Sequence, residues 1–170
     1  LIRKQVKAKF KAVGNLIEPV RAVKEPGEIK TIRKAVKINQ QALQAALELT
    51  EQRAGDARAW LTLAKLLDGA DQLDERLAAL DRALTLAPRD AEVHDLRAVS
   101  LASAGRWEEA LAACQPAVWQ DHPPSKLRFR AACIVAERRD LSAAIERMRQ
   151  VVQDEPHFYE AWSQLAEWYH

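Results

Sequence analysis

The sequence has little of what most enzymes, disulfide-rich proteins or membrane proteins require. Its 170 residues include only five glycines, which lie far apart, so it has no glycine-rich loop that could hold a phosphate. Cys114 and Cys133 do not belong to a small cysteine-rich scaffold, so we expect both to be reduced side chains at buried helical positions. No stretch approaches the roughly 18 consecutive apolar residues of a membrane span. We therefore expect no transmembrane segment.

The residues that usually carry chemistry are also poorly placed for it. None of the four histidines has a second histidine or a cysteine at the short spacing of a zinc site. They are His94, His122, His157 and His170. Acidic residues are plentiful, but pairs such as Asp74 and Glu75 are predicted to face solvent on a helix, so choosing two as a catalytic pair would be arbitrary. We expect no catalytic residue, no bound metal and no cofactor.

What the sequence does have is a fixed period. The small residue that marks the period recurs four times, 34 residues apart, at Ala64, Ala98, Ala132 and Ala166. Four residues before each alanine stand Trp60, His94, Arg128 and Trp162, and three residues after it stand Leu67, Leu101, Val135 and Tyr169. A period of this length predicts stacked structural repeats. Such stacks generally present a surface to a partner rather than enclose a reaction.

Each period reads as two helices. Trp60, Leu63, Ala64 and Leu67 fall at i, i+3, i+4 and i+7, which is one face of a helix. A second apolar stripe follows a turn signal at residues 68–71. The pattern predicts helix pairs at 57–69 and 73–86, at 91–103 and 107–119, and at 125–138 and 141–153, followed by a lone helix from about residue 159.

These units resemble the tetratricopeptide repeat (TPR), which has two antiparallel helices in 34 residues. Unit one spans 57–90, unit two spans 91–124 and contains the family-like run AGRWEEAL, and unit three spans 125–158. A fourth unit opens with YEAWSQLAEWYH. The resemblance implies an all-α, right-handed α-solenoid of antiparallel helix pairs with an N-terminal helical extension. Arg76, His94 and Arg128 depart from the residue types that the family prefers at their positions.

The N-terminal part differs in charge from the repeats. Residues 1–39 hold 11 Lys and Arg against 3 Asp and Glu, whereas the repeats are acidic overall. We predict a basic amphipathic helix plus linker at 1–27 and a helical segment at 28–56 that is a candidate degenerate repeat, followed by the repeats at 57–170. The basic helix could pack at the edge of the stack with its lysines in water, or contact a protein or an acidic surface. Nucleic acid is not favoured, because no aromatic platform accompanies the lysines.

The last helix lacks a polar outer face. Trp162, Leu165, Ala166 and Tyr169 would leave an apolar surface, whereas terminal repeats usually end in a polar face. We expect the chain to be a piece of a longer protein, and we expect self-association through residues 159–170 to be one way of covering that surface.

The resemblance also implies a binding groove lined by the first helices of the repeats. The side chains that the repeat phase would expose there are Arg58, Leu61, Lys65, Glu92, Asp95, Val99, Lys126, Phe129, Arg130 and Cys133. We expect a protein or peptide partner, with Leu61 and Phe129 as apolar anchors and with Lys126 and Arg130 meeting acidic groups.

Two functions are compatible with such a groove. The first is a non-catalytic scaffold for protein–protein interaction in the cytoplasm. The alternative is a regulatory or substrate-docking TPR region of a larger enzyme, such as a transferase, whose catalytic domain is not in this chain. The residues lining a groove vary freely on a constant fold, so the sequence does not name the partner.

Overall fold

The computed structural model of the protein describes residues 24–68, 70–120 and 122–169. These ranges contain α-helices and two short 3₁₀ turns, at Ala70–Gln72 and Ala117–Trp119, and they contain no strand. The helices are α1 (Pro26–Gln52), α2 (Ala57–Leu66), α3 (Leu73–Leu86), α4 (Ala91–Ser103), α5 (Trp107–Cys114), α6 (Ser125–Glu137), α7 (Leu141–Asp154) and α8 (Tyr159–Trp168). The predicted all-α class is confirmed.

The chain forms two compact units, Leu1–Gln40 and Gln41–His170, and the boundary falls inside α1. In the first unit, the described part is the stretch 24–40, where α1 leaves Ile29, Ile32 and Val36 exposed. The basic helix that we predict near the N-terminus lies outside the described residues.

The second unit is built from helix pairs. The three pairs, α2 with α3, α4 with α5 and α6 with α7, are joined in sequence by short turns and make the most extensive helix contacts in the unit. Ala64, Ala98 and Ala132 are each fully buried, at 0% exposure. A side chain this small lets neighbouring helices approach closely, and larger side chains fill the remaining core. Each pair thus buries its apolar stripe against its neighbours, as the period predicts. Together the stacked pairs form the α-solenoid.

Aspartates start three of these helices. The side chain of Asp56 accepts a hydrogen bond from the backbone N–H of Arg58, at 2.9 Å, and caps α2. Asp90 caps α4 and Asp140 caps α7 in the same manner. Such a cap satisfies a backbone donor that has no partner inside the helix and stabilises a helix by about 1 kcal/mol. The repeat boundaries are therefore set locally as well as by the core.

The turns inside the second and third repeats each contain one residue with a left-handed backbone. Gly105 has a φ of 74° between α4 and α5, and Arg139, one period later, has a φ of 68° between α6 and α7. In both turns the next N–H reaches back to a carbonyl five residues earlier, Arg106 to Leu101 and Asp140 to Val135. This is the hydrogen-bond pattern of a helix end closed by a left-handed residue. Only glycine adopts this conformation without steric cost.

Two of the predicted helices are too long. The helix predicted over 57–69 ends at Leu66. The sequence pattern predicts a helix over 107–119, but α5 ends at Cys114, whereas α3 and α7 each run for 14 residues. The reason is Pro116, which has no N–H to donate and forces the preceding residue away from helical geometry. Gln115 accordingly has φ −125° and ψ 54°.

A candidate interaction site on the first helices

The candidate site is the surface formed by the first helices of the three repeats, α2, α4 and α6, which we call the first-helix face. It comprises Arg58, Lys65, Glu92, Asp95, Val99, Lys126, Phe129, Arg130 and Cys133. Arg58, Lys65 and Lys126 are exposed, and Glu92, Val99, Phe129, Arg130 and Cys133 are partly buried. Asp95 is buried, at 9% exposure, so the expectation that it is exposed is wrong. The exposed members are all cations, so the part of this surface that reaches solvent most freely is basic.

An ion pair links the first two of these helices. Lys65 Nζ on α2 lies 2.5 Å from Glu92 Oε1 on α4, and both side chains remain nearly half exposed. The hydrogen bond from Lys65 lowers the pKa of Glu92, and the nearby charges of Lys65 and Lys126 act in the same direction against the opposing effect of desolvation. Glu92 is therefore ionised at neutral pH, and the pair remains open to exchange with a charged partner because it is solvated.

A second ionic cluster links α4 to α6. Arg130 Nε donates to Asp95 Oδ1 at 2.6 Å, and Lys126 Nζ lies 3.4 Å from Asp95 Oδ2. Desolvation works to lower the pKa of Arg130, but the hydrogen bond and charge of Asp95 outweigh it, so the pKa is raised. The side chain of Asp95 is only 12% exposed, whereas that of Lys126 is 50% exposed. Arg130 is thus held in place, while Lys126 extends into solvent.

Leu61 does not lie on this surface, and our expectation that it is an exposed apolar anchor is wrong. It is 3% exposed and belongs to the main buried cluster together with Leu63, Ala64 and Ala46. Ala46, a residue of α1, belongs to the same cluster.

The other apolar members are half-buried. Phe129 packs against the cluster around Ala132, and its ring lies 5.4 Å from that of Phe158, centroid to centroid. Val99 is also partly buried. Cys133 is partly buried, and desolvation, as the largest effect, raises the pKa of its thiol to about 11. This surface therefore offers partly accessible apolar contacts beside Lys126, but no reactive thiolate at neutral pH.

Among the described residues we find no arrangement typical of catalysis. No group of three or more histidine, cysteine or acidic residues could hold a metal ion there. Burial raises the pKa of Cys114 to about 12, and neither cysteine forms a disulfide. His94 is buried, with Nε2 3.0 Å from the carbonyl oxygen of Pro88 and its ring edge-on to Trp119. In the same described ranges, no helix has the length and hydropathy that crossing a membrane requires.

The sequence pattern does not predict the ionic links between repeats. Asp95 and Arg130 are 35 residues apart, one more than the period, and Lys65 and Glu92 are 27 apart. Opposite charges about one period apart on equivalent helices are the sequence signal for the pair of Asp95 and Arg130. The pair of Lys65 and Glu92 depends on how neighbouring helices are rotated, which the period alone does not define.

Comparisons with known proteins support the fold. A scan of the sequence against protein-family models finds no match, and a search of curated proteins finds none either. Among solved structures, the chain is similar to TTC0263, a thermophilic TPR protein of Thermus thermophilus, with a TM-score of 0.65 and 17% identity over 80% of this chain and 75% of that one.

Two further structures are similar. MamA matches with a TM-score of 0.60 and 15% identity over 86% of this chain and 84% of that one. YrrB, a TPR protein with an unusual peptide-binding site, matches with a TM-score of 0.55 and 20% identity over 73% of this chain, which spans 64% of YrrB. The agreement between the 34-residue period, the helix pairs and these structures leads to one conclusion: the chain has the tetratricopeptide-repeat fold.

Proposed function

We propose that the chain is a non-catalytic interaction module that binds an acidic peptide or helix along the first-helix face. The observation that carries this proposal is the continuity of that surface across three repeats, since ion pairs connect α2 to α4 and α4 to α6. YrrB, a protein with the same fold, has a peptide-binding site. The absence of a disulfide between the two free cysteines is compatible with the cytoplasmic location that we include in the proposal.

The charge of the surface favours an acidic partner. It carries four cationic side chains and two anionic ones, and Asp95 is already occupied by Arg130 and Lys126. Lys126 is half exposed and lies on the same helix as Phe129, one turn away. A partner carboxylate could therefore meet Lys126 while an apolar side chain next to it contacts Phe129.

The test begins with peptides selected from a random display library on the purified chain, whose affinities are then measured by fluorescence anisotropy. Phe129→Ala should weaken binding by about tenfold or more, as truncation of a central interface aromatic commonly does. The matched control is Ile145→Ala, because Ile145 packs against the same cluster but lies on the second helix α7. Its affinity should be unchanged although its stability falls.

Charge is tested separately. Lys126→Glu should weaken the peptide, and rising salt should weaken the wild-type complex, because exposed charge pairs are screened over about 10 Å at 0.1 M. Arg82→Glu is the control, an exposed charge reversal on α3. Equal affinity for Lys126→Glu and wild type, or equal losses for both reversals, would reject the first-helix face as the binding surface.

We also propose self-association through residues 159–170, and a specific observation favours it. Trp162, Ala166 and Tyr169 occupy the repeat positions of Trp60, Ala64 and Leu67, yet all three are exposed, with Trp162 at 49% and Tyr169 at 58%. In the first repeat, by contrast, Ala64 and Leu67 are buried in the core cluster, and Trp60 packs against that cluster. A second copy of the chain could supply such a surface.

Light scattering decides this point. The double variant Trp162→Glu plus Tyr169→Glu should be monomeric at concentrations at which the wild type associates. Its charges lie at positions that are already exposed, so the fold should survive, and the helical circular dichroism signal checks this. A monomeric wild type at all accessible concentrations would reject self-association without affecting the peptide proposal.

A further inference from the structure

The last helix, α8, is a first helix with no second helix beside it among the described residues. In each complete repeat the first helix makes its most extensive contacts with the second helix of the same repeat. The three repeat alanines of those first helices are completely buried, whereas Ala166 of α8 is exposed. On another face of α8, Ala161 and Leu165 are buried in the cluster around Ala132. The exposed face of α8 is therefore the face that a second helix would cover.

The helix α1 ends like a second helix. It ends at Gln52, 34 residues before α3 ends at Leu86, and the next first helix begins five residues after each of these ends. On α3 the apolar stripe that belongs to the main core cluster or packs against it is Leu77, Leu80 and Leu84. The residues one period earlier, on α1, are Leu43, Ala46 and Thr50. Two of them are 4% exposed and Leu43 packs against the same cluster, so the second half of α1 packs with the stripe of a second helix.

The first half of α1 repeats this stripe in the open. The helix has 27 residues, against 14 for α3. Fourteen residues before the stripe of the second half stand Ile29, Ile32 and Val36, at the same i, i+3 and i+7 spacing on one helix face. They are 37%, 49% and 50% exposed. The first half of α1 thus has the apolar face of a second helix, and α8 has the apolar face of a first helix.

The two exposed faces carry opposite charges. On α1 a cation directly follows each of the three apolar residues: Lys30, Arg33 and Lys37. On α8, Glu160 follows Tyr159 and Glu167 follows Ala166. All five charged side chains are exposed, and none of them forms an ion pair with another described residue. Because the next residue in a helix lies about 100° further round, these charges follow the same edge of each apolar face.

This arrangement of charge discriminates among the ways in which two copies could meet. When two helices pack antiparallel, as the helices of a repeat do, the same edge of each helix lies side by side. An α1 face on an α8 face therefore brings cations beside carboxylates. Two α8 faces bring carboxylates together, and two α1 faces bring cations together. Complementary charges set specificity and like charges suppress a pairing, so the unlike pair is favoured.

We propose that the first half of α1 docks on α8 of a second copy of the chain, in the place that the second helix of a fourth repeat would take. Ile29, Ile32 and Val36 then cover Trp162 and Ala166. The proposal rests on the self-association through residues 159–170 proposed above, and it names the surface that meets them. The contact joins two different surfaces, so it is heterologous. It is formed by two short helix faces, so we expect an affinity in the micromolar range or weaker.

A mixing experiment tests whether the two surfaces differ. One full-length variant carries Trp162→Glu plus Tyr169→Glu, and the other carries Ile32→Glu plus Val36→Glu. All four positions are exposed, so the helical circular dichroism signal should be retained. In sedimentation velocity each variant alone should be monomeric at concentrations at which the wild type associates. Their equimolar mixture should form a 1:1 heterodimer, because each variant supplies the surface that the other has lost.

A charge swap tests the orientation. Arg33→Glu plus Lys37→Glu should weaken association by about tenfold, because two attractions become repulsions, and Glu160→Lys plus Glu167→Lys should do the same. The chain with all four changes has the net charge of the wild type and should associate with nearly the wild-type affinity. The matched control is Lys34→Glu plus Arg82→Glu, which makes the same change in net charge at exposed positions away from the α1 stripe. This control should associate like the wild type.

The results separate this proposal from the self-association on which it rests. A wild type that is monomeric at all concentrations would overturn both. Association of the wild type and of the Ile32→Glu plus Val36→Glu variant to the same extent would overturn only the α1 contact and leave a pairing of two α8 faces. A mixture without heterodimer, or a four-change chain that stays as weak as its parents, would also overturn it. So would loss of association in Val6→Glu plus Phe10→Glu, because a cation follows each of these residues too and the N-terminal segment would then be the partner.

Discussion

The left-handed turn inside the repeats allows a prediction with opposite signs at equivalent positions. Gly105→Ala should destabilise the protein and Arg139→Gly should stabilise it, although both positions form the same turn. A methyl group built on Gly105 meets no atom within 4 Å, so the effect of the first variant comes from the backbone alone. The pair therefore measures conformational cost without a change in packing.

The magnitude follows from two opposing contributions. A left-handed backbone costs a residue with a Cβ atom about 1–2 kcal/mol. Replacing glycine by alanine also restricts the unfolded chain, which stabilises the folded state by about 0.4–1 kcal/mol. Gly105→Ala should thus lower the free energy of unfolding by about 1 kcal/mol, and Arg139→Gly should raise it by a similar or smaller amount. In thermal melts each variant should shift the midpoint by about 2–4 °C.

Gly55→Ala is the matched control. A Cβ atom at Gly55 also meets nothing within 4 Å, but Gly55 does not have a positive φ. This variant should be neutral or slightly stabilising, because only the unfolded-state contribution remains. Urea denaturation of the three variants gives the comparison. Equal effects of Gly105→Ala and Gly55→Ala, or a destabilising Arg139→Gly, would refute the reasoning about the turn.

Three further predictions concern the core, the ionic cluster and a thiol. Ala98→Trp should destabilise by about 1–3 kcal/mol or more through overpacking, whereas the exposed change Glu108→Ala should cost less than about 0.5 kcal/mol in urea denaturation. Asp95→Asn should lower the free energy of unfolding by about 1–3 kcal/mol at neutral pH, because it removes the charged acceptor of Arg130. A smaller decrease when the same change is made in the Arg130→Gln variant would confirm that the two residues interact. Cys133 should react with iodoacetamide far more slowly than a free thiol at pH 8, because its pKa is raised to about 11. The contribution of its protonated thiol to the free energy of unfolding is present below pH 9 and should be lost as the pH rises toward 11.

Much of the fold could be predicted because several local signals agree. The helices Leu73–Leu86 and Ala91–Ser103 begin and end where the apolar stripes predict, and Asp56 and Asp90 cap the first helices of two repeats. Period, amphipathicity and capping all point to the same boundaries, and such agreement across levels is what specifies a structure.

The misses have two physical origins. Pro116 marks the early end of α5, whereas the period alone predicts a helix that continues to residue 119. The burial of Leu61, which is 3% exposed, does not follow from its place on the helix face that the period assigns to it. Positions on a helix face follow from the period, whereas their accessibility follows from what packs beside them.

The candidate site was predictable in outline only. Lys126 and Phe129 were expected to be accessible on the first-helix face, and both are at least partly so. The pairing of Asp95 with Arg130 depends on the rotation of α6 against α4, which no local pattern specifies. That pairing leaves the side chain of Lys126, which is 50% exposed, more open to a partner than that of Arg130, which is 30% exposed.

The central claim, that partners bind along the first helices, is tested most directly by mapping a display-selected peptide onto the chain by NMR. The account predicts that amide shifts cluster on α4 and α6, around Val99, Lys126 and Phe129, and that they fade as salt rises. Shifts confined to the second helices α5 and α7, or to α1, with those three residues unchanged, would contradict it.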